Sequence, residues 1–327
     1  MILVTGGAGY IGSHFVRYYT RCRPADKVIV LDNLVEGHRE AIDGLANVQF
    51  VQADINDFDT VKKILVEQKV DAVVHFASYC YVGESQENPS KYYQNNLGGS
   101  INLFRAMDEA SVRKLVFSSS CATYGVPVRL PIDESHPQNP INVYGLTKML
   151  IERILDGYAY TKGWSFTALR YFNAAGADKS ALIGESHAPE THIIPLALKT
   201  ALGTKELLQV YGDDYDTPDG SCIRDYIHVE DLASAHLLAL EKLPEQKGGQ
   251  CINLGTAHGA SVKEIVALCE EVTGKKINHA FSPRRSGDPG RLVADASKAA
   301  SYLGWRPQHD LRSIIETAWQ WEQNKKY

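Results

Sequence analysis

The sequence predicts an α/β fold, a doubly wound parallel sheet with a smaller α/β substrate-binding domain. Three observations carry that expectation. Short apolar runs alternate with amphipathic stretches through the first half of the 327-residue chain. Those runs are continuous, which suits strands buried on both faces. Past about Gly176 the pattern gives way to loop-like and turn-rich stretches, GADKSALIGESHAPETH (176–192) and GDDYDTPDGS (212–221).

The elements follow in order. Strands are expected at 1–6, 27–33, 48–54, 72–77, 114–120 and 165–173, rich in apolar and β-branched residues. Helical patterns fall between them, near 12–22, 58–68, 90–111 and 144–162. Alternating strand and helix places helices on both faces of a parallel sheet. Further helical patterns recur at 194–202, 229–242, 261–273 and 310–324. The expected division is 1–175 and 176–327, with some later segments returning to the first domain.

Composition narrows the function classes. Hydrophobic residues make up 44% and charged residues 22%, ordinary for a globular protein. A net charge of −5 without a basic run argues against nucleic-acid binding. Six cysteines (22, 80, 121, 222, 251 and 269) form no CxxC pair, and no histidine cluster is read as having zinc-ligand spacing. Reduced thiols and no metal are expected. The opening MILVTGG has no basic region, and no stretch approaches the ~20 apolar residues of a membrane span. The expectation is a cytoplasmic protein without a membrane partner.

The stretch TGGAGYIGSH (5–14) spaces Gly6, Gly9 and Gly12 three apart, between a strand and a helix. Glycine lets backbone approach a pyrophosphate, and a helix N-terminus favours an anion. That setting is Rossmann-like and points to a dinucleotide. Asp32 closes the second strand twenty residues after Gly12, placed for ribose hydroxyls. A carboxylate there repels a 2′-phosphate, so NAD is expected over NADP. Asp54, ending the third strand, is either an adenine contact or a polar strand terminus.

The stretch VYGLTK (143–148) sets Tyr144 four residues before Lys148. On a helix these share a face. A nearby ammonium favours a phenolate and lowers a tyrosine pKa from about 10, which makes a general base. Taken alone, such a pair is more often packing and solubility.

The GxxGxxG spacing, the YxxxK pair and SSSCATYG (118–125) together resemble the extended short-chain dehydrogenase/reductase superfamily. The resemblance implies that Ser120 orients the substrate oxygen and Tyr144 is the acid/base. Lys148 would bind the nicotinamide ribose and lower the tyrosine pKa. Ser120, rather than Ser118 or Ser119, follows from the distance to TYG at 123–125.

Across essentially the whole chain the sequence resembles one family, UDP-glucose 4-epimerase. LDNL (31–34), HFAS (75–78), VGES (82–85), YYQNN (92–96) and LRYFNAAGA (169–177) carry that likeness. The most specific stretches are GDDYDTPDGSCIRDYIHVEDLA (212–233) and RRSGDPGRLVADASKA (284–299). The resemblance implies interconversion of UDP-galactose and UDP-glucose through a 4-keto sugar on tightly held NAD. It places Asn173, Arg224 and Arg285 on the uridine and phosphates, and Asp288 on the uridine ribose. Cofactor contacts implied with the glycines, Asp32 and Asp54 are Tyr10, Ile11, Asn33 and Ile55, then Phe76, Ala77, Asn95 and Phe172. A homodimer through the helices at 90–111 and 144–162 is also implied.

Two positions depart from the pattern. Cys80 stands where many members carry lysine, and reads as a small apolar filler. Leu292 stands where relatives carry tyrosine or a small residue, which implies mainly UDP-glucose and UDP-galactose as substrates. Rival readings are weaker. A nucleotide-sugar 4,6-dehydratase has Asp-Glu after the serine, whereas here Cys121-Ala122 follow Ser120. Epimerases of UDP-pentoses or UDP-uronates are less firmly excluded. A non-catalytic NAD-binding scaffold would have lost Tyr144, Lys148 or the arginines.

Overall fold

The computed structural model describes residues 1–284 and 288–327. Its strands are β1 (Ile2–Thr5), β2 (Val28–Asp32), β3 (Val48–Gln52), β4 (Ala72–His75), β5 (Lys114–Ser120), β6 (Ser165–Tyr171) and β7 (Asn173–Ala175). They continue as β8 (Leu208–Tyr211), β9 (Ile223–His228), β10 (Gly248–Leu254), β11 (Gly259–Ser261), β12 (His279–Ser282) and β13 (Arg291–Leu292). Seven form one parallel sheet in the order β10-β6-β5-β4-β1-β2-β3. The winding reverses between β1 and β4, and in open α/β sheets that switch point opens a crevice at the strand ends.

The helices are α1 (Tyr10–Cys22), α2 (Phe58–Glu67), α3 (Val82–Glu87), α4 (Pro89–Tyr92), α5 (Gly99–Glu109), α6 (Val143–Lys162), α7 (Ile193–Leu202), α8 (Val229–Lys242), α9 (Val262–Thr273) and α10 (Leu311–Asn324). Side chains along a strand alternate between faces, so each strand feeds two cores. On one face Val4, Val30 and Val74 pack with Phe15 of α1 and Leu232 of α8. On the other, Leu3, Ile29 and Val73 pack with Leu65 of α2, Phe104 of α5 and Ile151 of α6. A separate core gathers α7, α9 and α10 around Leu208, Val210 and Tyr226. No described helix is long and apolar enough to cross a membrane.

Local chemistry sets the helix that matters most. The Asn142 side chain caps α6 by accepting from the Gly145 N–H at 2.7 Å. Gly163, at φ 68°, ends it in the left-handed conformation that glycine tolerates.

Strands β8, β9, β11, β12 and β13 were not expected from the sequence, and two further differences concern the first sheet and the helices on it. The helix expected at 90–111 is broken: α4 passes into a π-helical turn at Tyr93–Gly98 before α5 begins. Asn96 in that turn is buried, bonding the Tyr79 N–H at 2.9 Å and the Tyr79 carbonyl at 3.0 Å. The wider turn aims this amide at a neighbouring loop. The second difference is β10, where no strand was expected, since its GGQCINL opens on two glycines. With α8, it joins the first sheet from late in the chain.

Candidate active site

The glycine loop lies at the switch point. Gly6 has φ 69°, and a β-carbon there would sit 2.5 Å from the Ala77 nitrogen after β4. At Gly12 it would sit 2.1 Å from the Gly6 carbonyl oxygen. Two of the three glycines are therefore required by the loop's own packing. Gly9 is the N-cap of α1 and makes no side-chain cap, which leaves N–H donors for an anion. Tyr10 and Ile11 form the first turn, and the Tyr10 hydroxyl donates to the Gly176 carbonyl at 2.6 Å.

Asp32 faces this loop. Its carboxylate accepts from the Ala8 N–H at 3.0 Å and the Leu34 N–H at 2.9 Å. Burial raises its pKa against those bonds. Asp54 accepts from the Asn33 amide at 2.9 Å and the Asn56 N–H at 2.8 Å. Ile55 is a core residue beside Gly99. Phe76 packs on Phe15 and His236. Asn95 lies in the π-helical turn, its amide 3.0 Å from the Asn96 oxygen.

The end of β5 separates three consecutive serines. The Ser118 hydroxyl pairs with that of Tyr171. Ser119 points the other way and donates to Glu152 at 2.6 Å. Ser120 accepts from the Ala122 N–H at 3.1 Å, and its side chain favours the ionised form of the neighbouring Tyr144 phenol. Of the three, Ser120 is the one that meets Tyr144.

Tyr144 and Lys148 occupy successive turns of α6, and both are buried. The Lys148 ammonium donates to the Ser118 carbonyl at 2.8 Å and lies 5.6 Å from the Tyr144 ring centre. Among the described residues that is its one hydrogen bond, so two N–H donors remain for a ligand's oxygens. Burial pushes the Tyr144 hydroxyl well above its ordinary pKa and pulls Lys148 down to about 7. The lowered tyrosine pKa expected from the spacing is not a property of this site alone. Desolvation outweighs the cation here, because both charged forms are disfavoured together.

The expected nucleotide residues gather on a second wall. Phe172 and Leu292 pack with Tyr124 and Ala294. The Asn173 amide donates to the Asp225 carbonyl at 3.1 Å. Arg224 is buried on β9, in register with Leu292 of β13. Its guanidinium binds the Asp288 carboxylate and the Ile223 carbonyl. Arg224 and Asp288, expected at different parts of a nucleotide, thus hold each other. Arg285 lies outside the described residues. Cys80 is exposed, so the reading as apolar filler does not hold for it.

Sequence reasoning missed the ionic support beneath this site. Arg170 on β6 makes a two-pronged pair with Glu152, at 2.9 and 2.6 Å, almost wholly buried. Glu152 is one turn beyond Lys148, so continuing the four-residue spacing from Tyr144 would have found it. His75 is also buried, between the Thr5 hydroxyl at 2.7 Å and the Ser100 hydroxyl at 2.9 Å. Burial, aided by the Lys148 charge, lowers its pKa to about 3. Its signal was one polar residue in the apolar run AVVHFA.

The donors fit a dinucleotide: backbone N–H groups at the start of α1, a carboxylate at the end of β2, and a buried ammonium with free N–H groups. Comparison with known proteins agrees. Residues 2–255 match the NAD dependent epimerase/dehydratase family. Over 324 residues the chain is 51% identical to the UDP-glucose 4-epimerase of Lactobacillus helveticus, covering 99% of this chain and 97% of that one. It is 48% identical to the crystal structure of UDP-glucose 4-epimerase from Brucella ovis in complex with NAD, with a TM-score of 0.92 over 97% of both chains. The Bifidobacterium longum UDP-glucose 4-epimerase in complex with NAD+ and UDP is 37% identical, with a TM-score of 0.93 over 99% of this chain and 98% of that one.

Proposed function

The chain belongs to the NAD dependent epimerase/dehydratase family and, within it, to the UDP-glucose 4-epimerases, and from that premise we propose that it interconverts UDP-galactose and UDP-glucose through a transient 4-keto sugar. NAD, when bound, supplies the hydride acceptor and donor at C4 and ends each turnover in the oxidation state in which it began.

The chain's residues divide the remaining work. Tyr144 takes the proton from the sugar 4-hydroxyl and later returns it. Ser120 holds the 4-oxygen. Lys148 holds the nicotinamide ribose and, as an ammonium, favours the phenolate. Because burial makes that phenolate costly, the Ser120 side chain and the Lys148 charge act where screening by water is weak. Gly6, Gly9 and Gly12 cradle the pyrophosphate at the start of α1, and Asp32 takes the adenosine ribose. Asn173, Arg224 and Asp288, with Arg285, hold the UDP while the sugar turns its other face to C4 chemistry. Arg224 then exchanges part of its contact with Asp288 for phosphate.

Residues 1–175 would carry the cofactor and 176–327 the UDP-sugar, with α8 and β10 returning to the first sheet. Exposed Ile101 on α5 and Tyr160 on α6 support a homodimer built on those helices. A cytoplasmic location fits a nucleotide-sugar substrate.

One observation supports the mechanism most directly. Ser120 at the end of β5 and Tyr144 on α6 arrive from separate elements and are both buried, the Ser120 side chain favouring the Tyr144 phenolate, one turn from a buried ammonium. Tyr144→Phe tests it. General acid–base catalysis contributes about 10²–10⁴-fold, so turnover falls by that order while NAD is retained. Turnover near wild type would remove the tyrosine from the mechanism.

A further inference from the structure

Four side chains outside that mechanism converge on one point. Glu185, His187, Glu190 and His192 lie between β7 and α7, in the stretch read from sequence as a loop. One ligand-competent atom from each lies within 4.8 Å of all the others. We propose that these residues form a binding site for a divalent transition-metal cation, with Zn²⁺ the best match.

The donor set is the first argument. Two imidazole nitrogens and two carboxylate oxygens suit zinc, which takes histidine and Asp/Glu ligands in a tetrahedron. The geometry is the second. With metal–ligand bonds of about 2.0–2.2 Å, neighbouring ligand atoms of a tetrahedron stand roughly 3.4 Å apart. The His187 Nδ1 lies 3.1 Å from Glu185 Oε1 and 3.7 Å from Glu190 Oε2. The His192 Nδ1 lies 2.7 Å from Glu185 Oε1 and 3.0 Å from Glu190 Oε1. Both rings present the same nitrogen inward, and each faces both carboxylates.

An unmet acceptor is the third argument. Glu190 Oε2 is buried and has no hydrogen-bond partner, although its side chain is only 3% exposed. Such an oxygen is costly unless something binds it. A dication beside neutral imidazoles cancels the two carboxylate charges and supplies that partner. The surroundings hold the ligands in place. The Glu185 carbonyl accepts from the Trp321 indole at 2.8 Å. Glu190 Oε1 accepts from the N–H groups of Thr191 and His192 at 2.7 and 2.8 Å. The His192 side chain is 42% exposed and offers an entry path, whereas the other three are 10% exposed or less.

The site has a structural consequence. The His187 ring meets the edges of Tyr10, in the first turn of α1, and Tyr81. A cation there fastens the 176–192 segment against the helix that opens the dinucleotide loop. His187 and His192 are spaced H-x4-H, within the range that zinc ligands use, so the sequence reading was wrong to find no zinc-ligand spacing; what the chain lacks is a CxxC pair to complete the usual pattern.

The test is metal analysis of the untagged holoenzyme, loaded with Zn²⁺ and dialysed against metal-free buffer, with Co²⁺ substitution as a spectroscopic probe. About one equivalent of zinc per chain is expected, with visible d–d absorption in the Co²⁺ form. His187→Ala and Glu190→Gln should each weaken binding by at least about 10–100-fold while NAD content and circular dichroism stay unchanged. No retained zinc and no Co²⁺ spectrum in the wild-type protein would overturn the proposal, leaving the cluster as histidine–glutamate ion pairs. Equal metal in wild type and both variants would also overturn it, by placing the ion elsewhere.

Discussion

Gly145 stands so close to the Ala122 carbonyl that a β-carbon on it would lie 2.3 Å from that oxygen. The contact seats the first turn of α6 on the short turn that follows Ser120. Tyr144 and Ser120 meet because the residue between Tyr144 and the rest of its helix has no side chain. Gly145→Ala should push the helix outward and misplace the phenol. A displacement near 1 Å costs roughly 10²-fold in rate, so kcat is expected to fall by about that factor. Steady-state kinetics with UDP-galactose measures it, and an unchanged kcat would mean the close approach does not set the catalytic geometry.

Lys148 gives a prediction with a definite sign in pH. Its pKa in the folded chain is about 7, lowered by burial from an ordinary 10.5. Between those values the folded state binds fewer protons than the unfolded state, so this group makes stability rise with pH. The burden of the buried ammonium is full below pH 7 and lifts as pH climbs toward 10.5. Lys148→Met should abolish epimerisation, yet in cofactor-free protein it should be more stable than wild type near pH 6. That advantage should shrink by pH 9.5. Urea unfolding at the two pH values checks it, and a difference independent of pH would contradict the buried-charge account.

Leu292 is the residue we propose as the selector of which sugars fit. It packs with Phe172 and Tyr124 and pairs in register with Arg224. Removing its side chain enlarges the space beside the proposed sugar site. Leu292→Gly should raise the ratio of UDP-N-acetylglucosamine to UDP-glucose turnover by about 10-fold, the scale set by small groups in apolar pockets. Paired kinetic assays give the ratio, and no change would remove Leu292 as a selector.

The six early strands were legible because each is a continuous apolar run, and the helices because amphipathic stretches alternate with those runs. The glycine loop and the Tyr144–Lys148 pair were legible because both are local spacings. What was not legible depends on distance through the fold. The break at 93–98 depends on Asn96 reaching Tyr79. The pairing of Arg224 with Asp288 spans 64 residues. The state of Tyr144 is set by burial that no four-residue spacing reports. The cluster at 185–192 is close in sequence, but only folding turns all four ligands inward.

The most direct test of the account is to give the purified protein UDP-galactose with no added cofactor and follow UDP-glucose by chromatography. Conversion without added NAD, lost in Tyr144→Phe, is the predicted result, and it would establish 4-epimerisation on a retained cofactor. No conversion of UDP-galactose, with or without NAD, would contradict the proposed substrate and leave the fold and dinucleotide site to serve another sugar nucleotide.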